Sequence, residues 1–157
     1  MLTTYAWLNT LGSPLNGKPQ MFEIWMNRSV GRWESHRRYL YGSGGGVDNL
    51  ITRFEVDTKD DGWIVEWVSD EHEGSMDLWI EGEWLHRSCG YYSQKPSTSR
   101  LEKIDQDTIV FWSEYGGMKF REEIRFIQSD NYRLRQTIGY NDKGELTICG
   151  QYFEERL

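Results

Sequence analysis

Ten short runs rich in β-branched and aromatic residues, about ten positions apart, constrain the fold of this chain more than any other feature. They begin just after Gly31 and continue almost to the end of the 157-residue sequence. Short runs at regular intervals are typical of consecutive β-strands. The predicted strands are residues 32–41, 49–57, 63–69, 75–80, 83–92, 100–104, 108–115, 119–127, 132–140 and 146–154.

Turn-forming residues separate these runs. Clusters of Gly, Asp, Asn and Ser occur at 59–62, 81–82, 105–107, 116–117, 129–131 and 141–144. Tight turns join strands in antiparallel order, and a sheet of this size removes its exposed edges by closing on itself. The sequence therefore predicts an all-β, up-and-down antiparallel barrel, and barrels of eight to ten strands can enclose one small ligand.

One helix is predicted before the first strand, over residues 19–28. Phe22, Trp25 and Met26 recur at helical spacing on one face, and Pro19 suits the first helical turn. The chain length fits one domain, and no repeat or linker suggests a second. We expect a single domain spanning 1–157, which consists of an N-terminal extension at 1–17, the helix at 19–28 and the barrel at 32–154.

Composition and charge narrow the classes of partner. Eight tryptophans and an aromatic content of 15% exceed the usual need of a small core, so some rings are expected to line a cavity or an exposed patch. The net charge of −7 argues against a nucleic acid or an anionic membrane as partner. Cys89 and Cys149 show neither a disulfide framework nor metal-ligand spacing, so no metal site is predicted.

No run of 18 apolar residues occurs in the chain. Residues 1–17 lack both the basic start of a signal peptide and the arginines of a transit peptide. We therefore expect a cytoplasmic protein.

The predicted hairpin at 118–140 carries the side chains best suited to bind an anion. Strand alternation places Arg133 and Arg135 on one face, where two guanidiniums suit paired carboxylates or phosphates. A solvated row of surface charges is the simpler alternative. Residues that face each other across the hairpin lie on the same side of the sheet. Glu123 therefore shares a side with Arg133 and Arg135 only if the residue numbers of facing positions add up to an even number. We predict this even register, which requires a loop longer than two residues or a bulge.

Two tryptophans on the third predicted strand are candidates for lining a ligand site with their flat rings. Trp63 and Trp67 lie four residues apart and share a face, so they would stack on an extended aromatic ligand or pack in the core. One of Trp79 and Trp84 has an odd residue number and the other an even one, so at most one of them is expected to share the face of Trp63 and Trp67.

Two segments a hundred residues apart form a recognisable pair of motifs. The first, Ser-x-Gly-x-Trp-x-Ser-x-Arg at 29–37, follows the helix, and the second is Asn-x-Arg-Leu-Arg at 131–135. The Gly-x-Trp in the first motif is typical of lipocalin-like barrels, and together the two motifs resemble those of the S-type phycobiliprotein lyases. The similarity runs from about Phe22 to the C-terminus. Arg156 is expected to pack across Trp33 and close the barrel.

The resemblance implies a ten-stranded lipocalin-like barrel that binds a phycobilin, a linear tetrapyrrole, as its substrate and has no prosthetic group. It further implies that the bilin is attached through a thioether to a cysteine of an apo-phycobiliprotein subunit. We expect the bound bilin to be phycoerythrobilin and the acceptor to be a phycoerythrin β-like subunit. The sequence also permits a homodimer. The matching positions imply bilin binding by Arg133, Arg135, Arg37, Glu123, Trp63 and Trp67, with Glu123 also as the catalytic residue.

Two other functions fit the same fold, because fold does not determine function. A non-catalytic lipocalin-like carrier would hold a small apolar or anionic ligand and transfer nothing. An interaction module with a filled barrel would bind no ligand at all.

Overall fold

The computed structural model describes residues 20–90 and 93–157. Helix α1, Met21–Arg28, precedes ten strands. The strands are β1 Gly31–Tyr41, β2 Val47–Lys59, β3 Gly62–Ser69, β4 Glu73–Glu81, β5 Trp84–Arg87, β6 Ser97–Lys103, β7 Thr108–Tyr115, β8 Met118–Ile127, β9 Tyr132–Tyr140 and β10 Leu146–Arg156. The fifth strand is shorter than predicted, and Pro19 lies outside the described residues.

Each strand pairs antiparallel with its neighbour in sequence, and β1 also pairs with β10, so the sheet closes into a barrel. This confirms the predicted up-and-down topology. Closure leaves the ten described strands without an unpaired edge. Every side chain therefore points either into the lumen or to the outer wall.

Helix α1 covers one end of the barrel, which we call the floor. Its apolar face buries Trp25 and Met26 over the lumen, as the helical spacing predicted. Trp33 lies beneath the helix with no exposed surface and donates its indole N–H to the carbonyl of Ser29 at 2.9 Å. The opposite end, the mouth, is bounded by the loops that follow β1, β3, β5, β7 and β9.

Arg156 fastens the floor. Its guanidinium lies 4.3 Å from the centre of the Trp33 ring, which confirms the predicted packing. The same group donates to the carbonyls of Val30, Arg28 and Asp130 at 2.6, 2.7 and 3.0 Å. The last strand is thereby tied both to the helix-to-barrel corner and to the loop between β8 and β9.

Arg28 ties the helix to two loops of the floor. It donates to both carboxylate oxygens of Asp130 at 3.0 and 2.6 Å, and to Asp107 at 2.7 Å. Its guanidinium also lies 4.5 Å from the centre of the Phe126 ring. Such a forked arrangement fixes the orientation of each loop more firmly than one hydrogen bond would.

Within the described residues, no helix combines the length and the apolar character needed to cross a bilayer.

Candidate functional site

Polar and charged side chains occupy the lumen above the apolar floor. The strand register arranges the lumenal side chains of β1, β10, β9 and β8 in three rows. From α1 toward the mouth, we name them the floor row, the middle row and the upper row. The floor row is Ser35, Glu154, Arg133 and Phe126, the middle row is Arg37, Tyr152, Arg135 and Ile124, and the upper row is Tyr39, Gly150, Thr137 and Glu122. Phe126 and Ile124 belong to the buried core, so the rows share the inner face of the barrel.

The floor row contains a buried ion pair. Glu154 has no exposed surface and accepts hydrogen bonds from Arg133 Nε at 2.7 Å and from Ser35 Oγ at 3.2 Å, and its ion pair with Arg133 Nη2 measures 2.5 Å. Arg133 also donates to Ser29 Oγ at 3.1 Å and lies 4.6 Å from the centre of the Trp33 ring. The Arg133 guanidinium is therefore held by contacts with Glu154, Ser29 and Trp33 at the floor of the barrel.

Opposing effects act on the ionisation of Glu154. Burial favours the neutral acid and by itself raises the pKa, but Arg133, Arg135 and Arg37 outweigh it and hold the pKa of this carboxyl below its ordinary value. Glu154 is consequently an anion at neutral pH and balances one guanidinium of the lumen.

The middle row places an aromatic ring between two cations. The guanidiniums of Arg37 and Arg135 lie 5.4 and 4.9 Å from the centre of the Tyr152 ring. Tyr39 meets the same ring edge to face at 5.5 Å. A Cβ on Gly150 would lie 2.7 Å from the Tyr152 hydroxyl, so glycine is what allows the phenol to lie across the strand. Burial raises the pKa of Tyr152, which stays a neutral phenol.

The upper row supplies a second carboxylate. Glu122 accepts from Arg135 Nη2 at 2.7 Å and from Thr137 Oγ1 at 3.0 Å. Burial opposes its ionisation, yet Arg135 and Arg87 together lower the pKa of Glu122 below its ordinary value. An ionised carboxylate at this position accepts hydrogen bonds and donates none.

The predicted even register of the β8–β9 hairpin is wrong. Glu122 faces Thr137 and Glu123 faces Gln136, so the facing numbers have an odd sum. Glu123 therefore lies on the outer wall, where its carboxylate pairs with Arg121 at 2.8 Å. The catalytic and bilin-binding roles expected of Glu123 are not available to it from that wall, and the carboxylate beside Arg135 in the lumen is Glu122.

The physical reason is the loop at 128–131. Its four residues join facing positions Ile127 and Tyr132, and an even loop length produces an odd sum. Gln128, Ser129 and Asp130 all have left-handed backbone angles, with φ of 49°, 54° and 66°. Arg28 and Arg156 fasten this loop to the floor, so tertiary contacts support a run of left-handed residues that the types of Gln128 and Ser129 do not favour.

Trp63 and Trp67 both point into the barrel, at different depths. Trp63 lies near the floor and donates its indole N–H to Asn27 Oδ1 of α1 at 3.0 Å. Trp67 lies nearer the mouth and borders a cavity of about 610 Å³ together with His72 and Cys89. A Cβ on Gly74 would lie 2.5 Å from the Trp67 ring, so glycine makes room for the indole.

The prediction that at most one of Trp79 and Trp84 joins these rings is confirmed, because both lie on the outer wall. Trp79 faces His86 and stacks on it with the ring centres 5.2 Å apart, and Trp84 is 45% exposed.

A family model described as CpeS-like protein matches residues 75–157, just over half of the sequence. The chain belongs to the CpeS-like family. The matched part contains most of β4 and all of β5 to β10, and with them every residue of the three rows except those on β1.

Two relatives align with most of this CpeS-like chain. It is 29% identical to the provisionally named phycocyanobilin lyase CpcS 2 of Nostoc sp. PCC 7120, over 82% of this chain and 87% of the relative. It is 28% identical to the provisionally named chromophore lyase CpcV of Picosynechococcus sp. PCC 7002, over 92% of this chain and 87% of the relative.

Two solved structures share the fold. The S-type phycobiliprotein lyase CPES of Guillardia theta superposes with a TM-score of 0.68 at 19% identity, covering 87% of this chain and 92% of the other. A DUF3598-family protein of unknown function from Nostoc punctiforme gives 0.64 at 20% identity, and there the CpeS-like chain spans about half, 49%, of the longer protein.

The lumen of this CpeS-like barrel brings Arg37, Arg133 and Arg135 together, as predicted, and adds three residues that sequence reasoning missed. Tyr152 and Glu154 are two residues apart on β10, as Arg133 and Arg135 are on β9, so pairing β10 with β9 in the right register would have been enough to place them in the lumen. Glu122 could be placed there only with knowledge of the conformation of the loop at 128–131. Among the described residues, no three His, Cys, Asp or Glu side chains are grouped as a metal site would require.

Proposed function

We propose that this protein binds a phycobilin in its lumen and promotes thioether attachment of that bilin to a cysteine of an apo-phycobiliprotein subunit. One observation carries the proposal. From the floor row to the mouth, the guanidiniums of Arg37, Arg87, Arg133 and Arg135 face the lumen, with the carboxylates of Glu122 and Glu154 on the same inner face. These guanidiniums outnumber the two carboxylates, which suits a ligand that carries two propionates.

The middle row suits the anionic side of such a ligand. Arg37 and Arg135 flank Tyr152 and lie above the buried Arg133–Glu154 pair. Because Glu154 and the floor already engage Arg133, we assign the direct propionate contact to Arg37 and Arg135. Arg133 then acts by neutralising Glu154 and supporting the row above it.

Glu122 suits the nitrogen side. The pyrrole and lactam N–H groups of a linear tetrapyrrole are donors, and an ionised carboxylate is an acceptor. Arg135 and Thr137 fix the orientation of Glu122 from one side of the lumen. Trp67, nearer the mouth, offers an apolar face to the π-system.

The reaction is an addition, so it needs neither an oxidant nor a nucleophile from this chain. The acceptor thiol loses its proton as its sulfur bonds to the ethylidene side chain on ring A, the exocyclic double bond is consumed, and one proton is taken up at the ring carbon, so the net change is addition of S–H across the double bond. The barrel contributes by holding ring A in one orientation at the mouth and by excluding water from the rest of the ligand.

The names of the two relatives support this function, since one is a phycocyanobilin lyase and the other a chromophore lyase by name. Phycoerythrobilin, a phycoerythrin β-like acceptor, a homodimer and a cytoplasmic location stay predictions. The relative named for phycocyanobilin makes that bilin the necessary comparison.

The test is to mix the protein with phycoerythrobilin or phycocyanobilin, record the visible spectrum, and then add an apo-phycobiliprotein subunit. A lyase forms a coloured complex and leaves colour on the acceptor after denaturation. A carrier forms the complex but leaves the acceptor colourless. Absence of a spectral change with either bilin would contradict both functions.

A further inference from the structure

Arg87 is a lumenal cation that the family motifs did not point to. It is the last residue of β5, at the mouth end of the barrel. It faces Leu78, a buried core residue of β4, so its side chain lies on the inner wall. Sequence patterns alone do not distinguish it from Arg100 or Arg121, which lie on the outer wall beside Trp112.

A chain of hydroxyl groups fixes this guanidinium. Arg87 Nη1 donates to Ser99 Oγ at 2.5 Å, and Ser99 Oγ lies 2.6 Å from Ser113 Oγ. Ser99 has no exposed surface. Side chains on three neighbouring strands, β5, β6 and β7, thus form one hydrogen-bonded chain that holds the Arg87 guanidinium in place. A solvated surface arginine is less firmly positioned.

Strand order places Arg87 across the lumen from the middle row. In the closed ring of ten strands, β5 is five positions from β10, where Tyr152 lies between Arg37 and Arg135. Both Arg87 and Arg135 lower the pKa of Glu122, although burial of that carboxyl opposes them. The two cations therefore act on the same interior space from different walls.

We propose that Arg87 is a second carboxylate anchor, which makes the site specific for a tetrapyrrole with two free propionates. The inference rests on the proposed function and deepens it. The propionates of a bilin are flexible arms on two different rings, so they can diverge toward separate partners. One meets Arg37 and Arg135 on the β1 and β9 wall, and the other meets Arg87 on the β5 wall.

The experiment measures the affinity of wild-type protein and of Arg87→Gln for four ligands by absorbance titration. The ligands are phycocyanobilin, its two separate monomethyl esters and its dimethyl ester. Arg38→Gln is the matched control, because Arg38 is an exposed arginine on the outer wall of β1. Arg87→Lys tests whether a positive charge at this position restores part of the affinity.

For the wild type and Arg38→Gln, we expect each monoester to bind at least about tenfold more weakly than the diacid. For Arg87→Gln, the diacid itself should bind about tenfold more weakly, and one particular monoester should bind as well as the diacid. That loss of discrimination identifies the propionate which Arg87 contacts. Because each comparison is a ratio within one protein, partial unfolding of a variant does not alter it.

Equal sensitivity of Arg87→Gln and wild type to both monoesters would overturn the inference while leaving the proposed function standing. If Arg87→Gln does not fold, Arg87→Lys carries the same comparison with a smaller expected change. If wild-type protein binds none of the four ligands, the same series prepared from phycoerythrobilin replaces them, and absence of binding with both series would overturn the proposed function and the inference with it.

Discussion

Arg133 Nε donates to Glu154 Oε2 at 2.7 Å, and the two residues lie directly opposite each other on β9 and β10. This pair is sealed from solvent between the floor and the middle row. It separates two arginines that share a strand face but differ in surroundings. Arg133 is engaged by the floor, whereas Arg135, two residues along in the middle row, pairs with Glu122 of the upper row, lies over the Tyr152 ring and comes within 3.7 Å of Glu154.

Glu154→Gln should lower the free energy of unfolding by about 3–5 kcal/mol, because it leaves the buried Arg133 guanidinium without its counter-charge. Urea denaturation followed by tryptophan fluorescence measures this. The double variant Glu154→Met, Arg133→Met should be more stable than the single one, since it removes both charges. A cost below about 1 kcal/mol for the single variant would contradict a buried pair.

Stability should also depend on pH through Glu154. Its folded pKa lies below the ordinary value of 4.5, so its contribution is fully present above pH 4.5 and is lost as pH falls through the folded pKa. Glu122 acts in the same direction. We expect the free energy of unfolding to decrease as the pH falls below 4.5, and Glu154→Gln to show a shallower decrease. Identical slopes would exclude this carboxyl as a source.

Glu122→Gln and Glu123→Gln form a matched pair that tests the register. Glu122 lies in the lumen and Glu123 on the outer wall, so only Glu122→Gln should change the spectrum of bound bilin and slow its transfer. Because Glu122 is proposed to orient the bilin through its N–H groups, we expect a reduction of roughly tenfold or more in transfer rate for Glu122→Gln. The reverse ranking would show that the hairpin has the even register in solution.

Ser129 has a left-handed backbone, with φ of 54°, at a loop position where glycine costs less strain. Ser129→Gly should therefore exceed Ser129→Ala in free energy of unfolding by about 1 kcal/mol. Thermal and urea denaturation of the two variants provide the comparison. If alanine were equal to glycine here, the loop would not hold the left-handed conformation that fixes the odd register.

Trp63→Phe and Trp67→Phe should separate packing from ligand contact. Trp63→Phe loses the hydrogen bond to Asn27 and should cost about 1–3 kcal/mol of stability with little change in bilin affinity. Trp67→Phe should weaken bilin binding roughly 2- to 10-fold, since it reduces the aromatic surface near the mouth. Melting curves and absorbance titrations of both variants decide, and equal affinities would exclude Trp67 as a wall of the site.

The sequence by itself determined the strands, their order and the closed barrel, because turn residues and the two-residue period of strands are local properties. The same period placed Arg133 with Arg135, and Trp63 with Trp67. Only the tertiary structure decided which carboxylate joins the arginines. That choice between Glu122 and Glu123 depends on the loop at 128–131, whose left-handed residues are supported by Arg28 and Arg156 from the far ends of the described chain. Contacts between residues a hundred positions apart have no local signature, and the opposing position of Arg87 across the lumen has none either.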